Sequence, residues 1–361
     1  MKKLLFSLVL MVALVFTLAA CSQADTPDIG ISMPTTSSTR WISDGYSMKE
    51  QFEAKGYSVI LEYAQDNITN QVAQVENMIT RGVKVLIIAA IDNQSLTNVL
   101  EEANKAGIHV IAYDRLILNS EHVSYYATFD NFGVGVLMGQ GIVDGLDLPN
   151  QAGPFNIELF AGSPDDSNSA FFFNGAMSIL QPYITSGKLV VRSGQTTQAQ
   201  VGTLRWDGQV AQSRMENLIT GHYSDGQVVH AVLSPYDGLS IGIISALTSN
   251  GYGLGAGDTP MPYITGQDAE KASVQQILNG YQSSTVFKDT RTLAGVAVGM
   301  AEALMGGDEP EINDTVTYDN GTGIIPSYLL IPVFVDSSNW RSALLDSGYW
   351  QESDFTIPAG K

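Results

Sequence analysis

Residues 85–115 read VLIIAAIDNQSLTNVLEEANKAGIHVIAYDR. The runs 85–90 and 109–113 are apolar without alternation, as strands covered on both faces are. Between them, 95–106 carries apolar residues at helical spacing and stops at Ala106-Gly107, where glycine suits the left-handed residue that closes a helix. Strand, helix and strand of this kind make a parallel β-α-β unit. Its second strand delivers Asp114 and Arg115 to the carboxyl end of the sheet.

The same pattern continues in both directions. Strands are expected at 29–33, 58–63, 125–129, 155–160, 189–192, 228–233, 263–266 and 285–287, and helices at 44–55, 70–81, 132–146 and 239–249. The class is therefore α/β, with helices on both faces of parallel sheets. So many units overfill one modest sheet, and two doubly wound lobes account for them. A late helix at 293–305 and a strand at 326–336 would complete different sheets. The expected division is 28–130 plus 289–325 for the N-terminal lobe and 131–288 plus 326–361 for the C-terminal lobe. Three segments then cross between the lobes, with a ligand crevice between them. No Ser/Gly-rich tether separates the halves.

The length of 361 residues agrees with two lobes, since single cores stop growing near ~250–300 residues. With 18 Lys+Arg against 37 Asp+Glu, the charge opposes binding to nucleic acid, which requires neutralised phosphates. One cysteine excludes an internal disulfide and a cysteine zinc cluster. Lys2 and Lys3 precede an apolar run over 4–20, the pattern of an export signal at 1–20. Leu18-Ala19-Ala20-Cys21 resembles the lipobox of bacterial lipoproteins. That resemblance implies lipidation of Cys21, a lipidated tether at 21–27, and anchoring to the outer face of the cell membrane.

In open α/β sheets ligands bind at the carboxyl ends of strands. Those positions hold Arg40-Trp41, Asp114-Arg115, the loop Gly162-Ser163-Pro164-Asp165-Asp166-Ser167-Asn168, Arg205-Trp206, Ser234-Pro235-Tyr236-Asp237, Gln267-Asp268 and Lys288. Carboxylates accept from sugar hydroxyls, while Arg, Lys and Asn donate to their oxygens. The apolar C–H face of a pyranose can stack on an indole. Plainer roles exist for each position: a surface ion pair at Asp114-Arg115, helix caps at Asp165 and Asp166, core packing for Trp206, a solvated Lys288. Their recurrence at strand ends favours the sugar reading.

Several of these stretches together resemble a known family. Met33-Pro34-Thr35 with Ser38-Thr39-Arg40-Trp41, VIAYDRL (110–116), SYYATFD (124–130), IELFAGSPDD (157–166), GTLRWD (202–207), SPYDG (234–238), TGQD (265–268) and VFKDT (286–290) are similar to periplasmic monosaccharide receptors of the multiple-sugar-binding (ChvE-like) and xylose-binding type. These are type I periplasmic binding proteins. The resemblance implies that Arg40, Trp41, Asp114, Arg115, Asp166, Asn168, Trp206, Asp237, Asp268 and Lys288 line a sugar site, with Trp41 and Trp206 as stacking faces. It further implies a monomeric receptor for an aldose, an ABC permease as partner, and in some members a sensor kinase. The sequence departs in the loop Asp166-Ser167-Asn168-Ser169, where a second Asn is expected beside Asn168.

No cofactor or metal is expected: the four His are scattered, and no Asp-x-Asp/Asn-x-Asp/Asn-Gly calcium loop occurs. Gly133, Gly135 and Gly139 suit close helix packing better than a dinucleotide loop, which needs an acidic partner about 20 residues on. An exported glycoside hydrolase is the rival reading, with Asp114, Asp237 and Asp268 as its carboxylates. Arg and Lys beside them would keep them ionised and remove the general acid. A sugar-responsive repressor shares the fold, but the export signal and missing DNA-binding head oppose it. Asp114→Ala or Arg115→Ala is expected to weaken sugar binding at least tenfold and leave the melting temperature nearly unchanged.

Overall fold

A computed structural model describes residues 26–358. The export signal and Cys21 lie outside the described residues.

The first half runs β1 (Ile29–Met33), α1 (Thr39–Ala54), β2 (Val59–Tyr63), α2 (Ile68–Thr80), β3 (Val85–Ile88), α3 (Thr97–Lys105), β4 (His109–Tyr113) and β5 (Tyr125–Phe129). With β13 (Ser327–Leu330) these strands form one sheet in the order β13-β5-β4-β3-β1-β2, parallel throughout. The apolar run of β3 serves two cores at once. Leu86 and Ile88 pack with Val75, Met78 and Leu100, while Val85 and Ile87 pack with Met48, Phe52 and Leu293. That two-sided burial is why the run does not alternate. Gly107 closes the α3 turn with φ 73°.

The second half contains α4 (Asn131–Gly145), β6 (Phe155–Leu159), α5 (Asn168–Thr185), β7 (Leu189–Val191), α6 (Gln198–Val201), α7 (Gly208–His222), β8 (Ala231–Leu233) and α8 (Asp237–Ser249). After the short pair β9 (Tyr252–Gly253) and β10 (Thr259–Pro260) come β11 (Tyr263–Ile264), α9 (Lys271–Asn279) and β12 (Ser284–Phe287). The parallel order is β11-β8-β6-β7. Backbone bonds from Ser283 N to Ile264 O and from Val286 N to Gly266 O carry the sheet on to β12. The antiparallel β14 (Val333–Asp336) pairs with β12 at the edge. Glycines of α4 and α5 meet back to back: a Cβ on Gly135 would collide with the Phe172 carbonyl, and one on Gly175 with that of Phe132. The small residues of α4 thus serve helix packing.

The chain passes between the two sheets at Asp130, at Lys288-Asp289 before α10 (Thr290–Gly306), and between Leu330 and Val333. The last passage corrects the sequence division. Residues 326–336 are two strands, and Ser327–Leu330 pairs with β5 in the first sheet rather than entering the second half at 326. The break falls at Ile331-Pro332, where Pro has no N–H for a ladder. A second correction concerns α1, which begins at Thr39 instead of 44. Arg40 and Trp41 therefore stand in its first turn.

Candidate functional site

The carboxyl ends of the two sheets face each other across a cavity, the position at which open α/β sheets bind small ligands. Nine of the ten sequence-predicted site residues line it: Arg40, Trp41, Asp114, Arg115, Asp166, Asn168, Trp206, Asp268 and Lys288.

Arg40 is the hub. The first turn of α1 puts Asp44 four residues on, and Arg40 Nε donates to its Oδ2 at 3.1 Å. The guanidinium also pairs with Asp114 and reaches Asp268 Oδ1 at 3.5 Å. Lys288 Nζ sits 3.0 Å from Asp268 Oδ1 and 3.9 Å from Asp114 Oδ2. Far from being solvated, Lys288 is buried. Arg115 Nε pairs with Asp166 Oδ2 at 3.1 Å. Each of these three cations thus has a carboxylate partner, as withdrawal of charge from water demands.

These contacts set the ionisation. Burial alone would raise the Asp114 carboxyl, but Arg40, Lys288 and Arg115 outweigh it and hold the group below the usual carboxylate range. Burial raises Asp166 despite Arg115 and the Asn168 N–H. Burial likewise pushes Asp44 up to about 7, against Arg40 and the hydrogen bond from Tyr113.

The backbone at the site is unusual. Asp66, Asp114, Arg205, Trp206 and Asp268 all have φ between 55° and 92° and all line the cavity. Left-handed backbone is costly for residues with a Cβ and persists where surroundings over-determine it. At Asp114 the surroundings are visible: its carbonyl accepts from Tyr126 OH (2.6 Å), Thr128 Oγ1 (3.1 Å) and Asn168 Nδ2 (2.6 Å).

Several bonds join the two halves across the cavity. Besides Arg40–Asp268 and Arg115–Asp166, Ser38 Oγ donates to Glu270 Oε1 at 2.7 Å, and Asn93 N donates to Asp165 O at 3.1 Å. Arg205 reaches Asp165 Oδ2 at 3.1 Å and Ile91 O at 3.4 Å. This is a closed arrangement of the lobes.

Two indoles flank the space. The Arg40 and Arg115 guanidinium carbons lie 4.7 and 5.1 Å from the Trp41 ring centroid, so this ring takes part in cation–π contacts. Trp206 meets Phe172 and Tyr236 edge-on, both at 6.1 Å. A Cβ on Gly162 would run into the Trp206 ring, so glycine is required there.

Asp237 is the predicted residue that the structure does not bring to the cavity. It opens α8, is wholly buried, and its oxygens accept from Gln282 Nε2 (3.0 Å), Thr285 Oγ1 (2.9 Å) and Glu270 N (2.9 Å). Among the described residues no cation pairs with it, contrary to the sequence expectation, and burial together with Glu270 raises its carboxyl well above the ordinary value. The neighbouring Tyr236 faces the cavity instead. Sequence reasoning missed Thr35, Ser37, Ser38, Asp66 and Phe172 as lining residues, while Arg205, Tyr236 and Gln267, which also line the cavity, stand in the strand-end set. Asp66 follows β2 and could have been found by the strand-end rule; Phe172, one turn inside α5, carried no such signal.

Residues 29–309 match the model of the periplasmic binding protein domain. The chain is 59% identical over 331 residues to the multiple sugar-binding periplasmic protein SbpA of Azospirillum brasilense, covering 92% of each. It is 34% identical to the D-xylose-binding periplasmic protein of Escherichia coli, covering 90% of this chain and 92% of that one. An ABC transporter solute-binding protein from Clostridium phytofermentans, solved with bound β-D-glucose, superposes with a TM-score of 0.86 at 47% identity, covering 90% of this chain and 99% of that one. With two parallel sheets, three crossings and a cavity between them, the chain belongs to the periplasmic binding protein family, in its type I fold.

Proposed function

We propose that the protein is an exported solute-binding lipoprotein of an ABC sugar importer, which binds an aldose such as glucose, galactose, arabinose or xylose between two closing lobes. The observation that carries this reading is the charge arrangement of the cavity. Its buried Arg40 and Lys288 and its part-buried Arg115 are already paired with Asp114, Asp268 and Asp166. A charged ligand would leave one member of such a pair exposed in a dry site, whereas a hydroxyl donates to the carboxylate and accepts from the cation without breaking the pair. The names of the relatives support the same class.

Sugar favours the closed population, in which both lobes contact it. The closed form is what a membrane permease, or a sensor kinase in signalling, would recognise. The role is binding without catalysis: Asp114 is held ionised by its cations and Asp237 lies outside the cavity, which removes two of the three carboxylates on which the hydrolase reading relied. Calorimetric titration with aldoses tests the proposal. Absence of heat with every aldose, or release of aglycone from aryl-glycosides that is lost in Asp114→Asn, overturns it. Anchoring through Cys21 is tested by detergent partition: the full chain expressed in bacteria should enter the detergent phase, and Cys21→Ala the aqueous phase.

A further inference from the structure

We propose that Gln267 is a specificity-determining residue of this site: its Oε1 accepts a hydrogen bond from one sugar hydroxyl, and the Trp206 indole N–H is the neutral donor on the same wall. The inference rests on the sugar-binding reading above.

Six buried side-chain polar atoms have no hydrogen-bond partner among the described residues. Two of them, Gln267 Oε1 and Trp206 Nε1, belong to residues that line the cavity. Gln267 is only 3% exposed, so its acceptor is shut off from bulk water, and a buried polar atom in this condition calls for a partner. The amide cannot be reversed to relieve it. Gln267 Nε2 donates to the Pro235 carbonyl at 3.1 Å, and a carbonyl accepts only, so the amide nitrogen must stay on that side. The main chain fixes the residue as well, since Asp237 N donates to the Gln267 carbonyl at 3.1 Å. The acceptor is thereby aimed by two bonds made elsewhere.

Trp206 is a donor only. Its ring is held by Gly162, Phe172 and Tyr236, so the N–H is fixed too. The remaining polar wall consists largely of ion pairs, whose carboxylates accept and whose cations donate, so that they can meet several hydroxyl patterns. A fixed neutral acceptor cannot, because removing the hydroxyl it faces leaves it buried and unpaired. Discrimination against an analogue lacking that hydroxyl follows.

The experiment is calorimetry of D-glucose and its 2-, 3-, 4- and 6-monodeoxy analogues with wild type, Gln267→Met and Trp206→Phe. In wild type, the analogue lacking the hydroxyl that faces Gln267 should bind roughly 5- to 50-fold more weakly than glucose. In Gln267→Met the glucose preference over that one analogue should collapse towards unity, while preferences over the others persist. Trp206→Phe, which keeps a ring but removes the N–H, should likewise erase one preference. A loss shared equally by glucose and all analogues would mean that Gln267 only supports the loop through Pro235, and overturns the inference. So do unchanged ratios in both variants, which also cover each other should one fail to fold. Wild-type protein that binds no aldose overturns the sugar reading itself, a different outcome from sugar binding that ignores Gln267.

Discussion

Asp114 shows how burial changes what a substitution does. Its position at the end of β4 suggests a ligand-binding carboxylate whose removal spares the fold. The structure places it against Arg40 and near Lys288, with all three side chains buried. Removing one member of a buried ionic cluster typically costs ~3–5 kcal/mol. Asp114→Ala should therefore lower the melting temperature by several degrees as well as weakening sugar binding at least tenfold. Arg115, with a single bridge to Asp166 and a bond to the Ala90 carbonyl, is the gentler variant. Arg115→Ala should lose affinity comparably with a smaller thermal penalty; wild-type affinity in both would mean that the site lies elsewhere. A second consequence concerns pH. The Asp44 carboxyl, raised to about 7 from 3.8, holds its proton more tightly folded than unfolded. Its contribution to stability is full below about pH 4 and is lost as pH rises to about 7. The stability of wild type relative to Asp44→Asn should fall across that window, and a pH-independent difference in melting curves would contradict it.

At the scale of elements, two close approaches make separate predictions. The backbones of α4 and α5 touch through Gly135 and Gly175, so Gly175→Ala should destabilise the protein by ~1–3 kcal/mol through overpacking, read by chemical denaturation. Gly162 instead backs the Trp206 ring. Gly162→Ala should displace the indole and reduce sugar affinity more than it reduces stability, with tryptophan fluorescence reporting the shift. These packings also explain what was legible. The positions of β1, β4 and β5 agree with apolar runs because each is covered on both faces. α1 starts five residues before the sequence pattern indicates, because its first two turns carry Arg40, Trp41 and Asp44, whose side chains serve the site and the ion cluster rather than an apolar stripe.

For the whole molecule, closure is the testable property. Ligand at 100 times Kd stabilises the folded state by ~2.7 kcal/mol, so glucose at that excess should raise the melting temperature by about 5 °C or more. Small-angle scattering should show the same closed dimensions with sugar bound as in the structure described here. The bond from Ser38 to Glu270 joins the lobes outside the ion cluster. Ser38→Ala should then speed sugar release severalfold with little change in melting temperature, as stopped-flow fluorescence can measure; an unchanged release rate would exclude this bond as a latch.

The α/β class, the two lobes and most of the residues that line the cavity were legible in local information: apolar runs, glycine stops and polar residues at strand ends are each set by a few adjacent side chains. The lobe assignment of Ser327–Leu330 did not, because either sheet could accept an apolar strand and only pairing with β5 chooses between them. Asp237 and Tyr236 are equally polar neighbours at one strand end. Which of them faces the cavity depends on how α8 begins and on Gln282 and Thr285, more than forty residues away, whose donors bury Asp237. Tertiary structure alone decided that exchange, since a side chain points where its distant partners satisfy it.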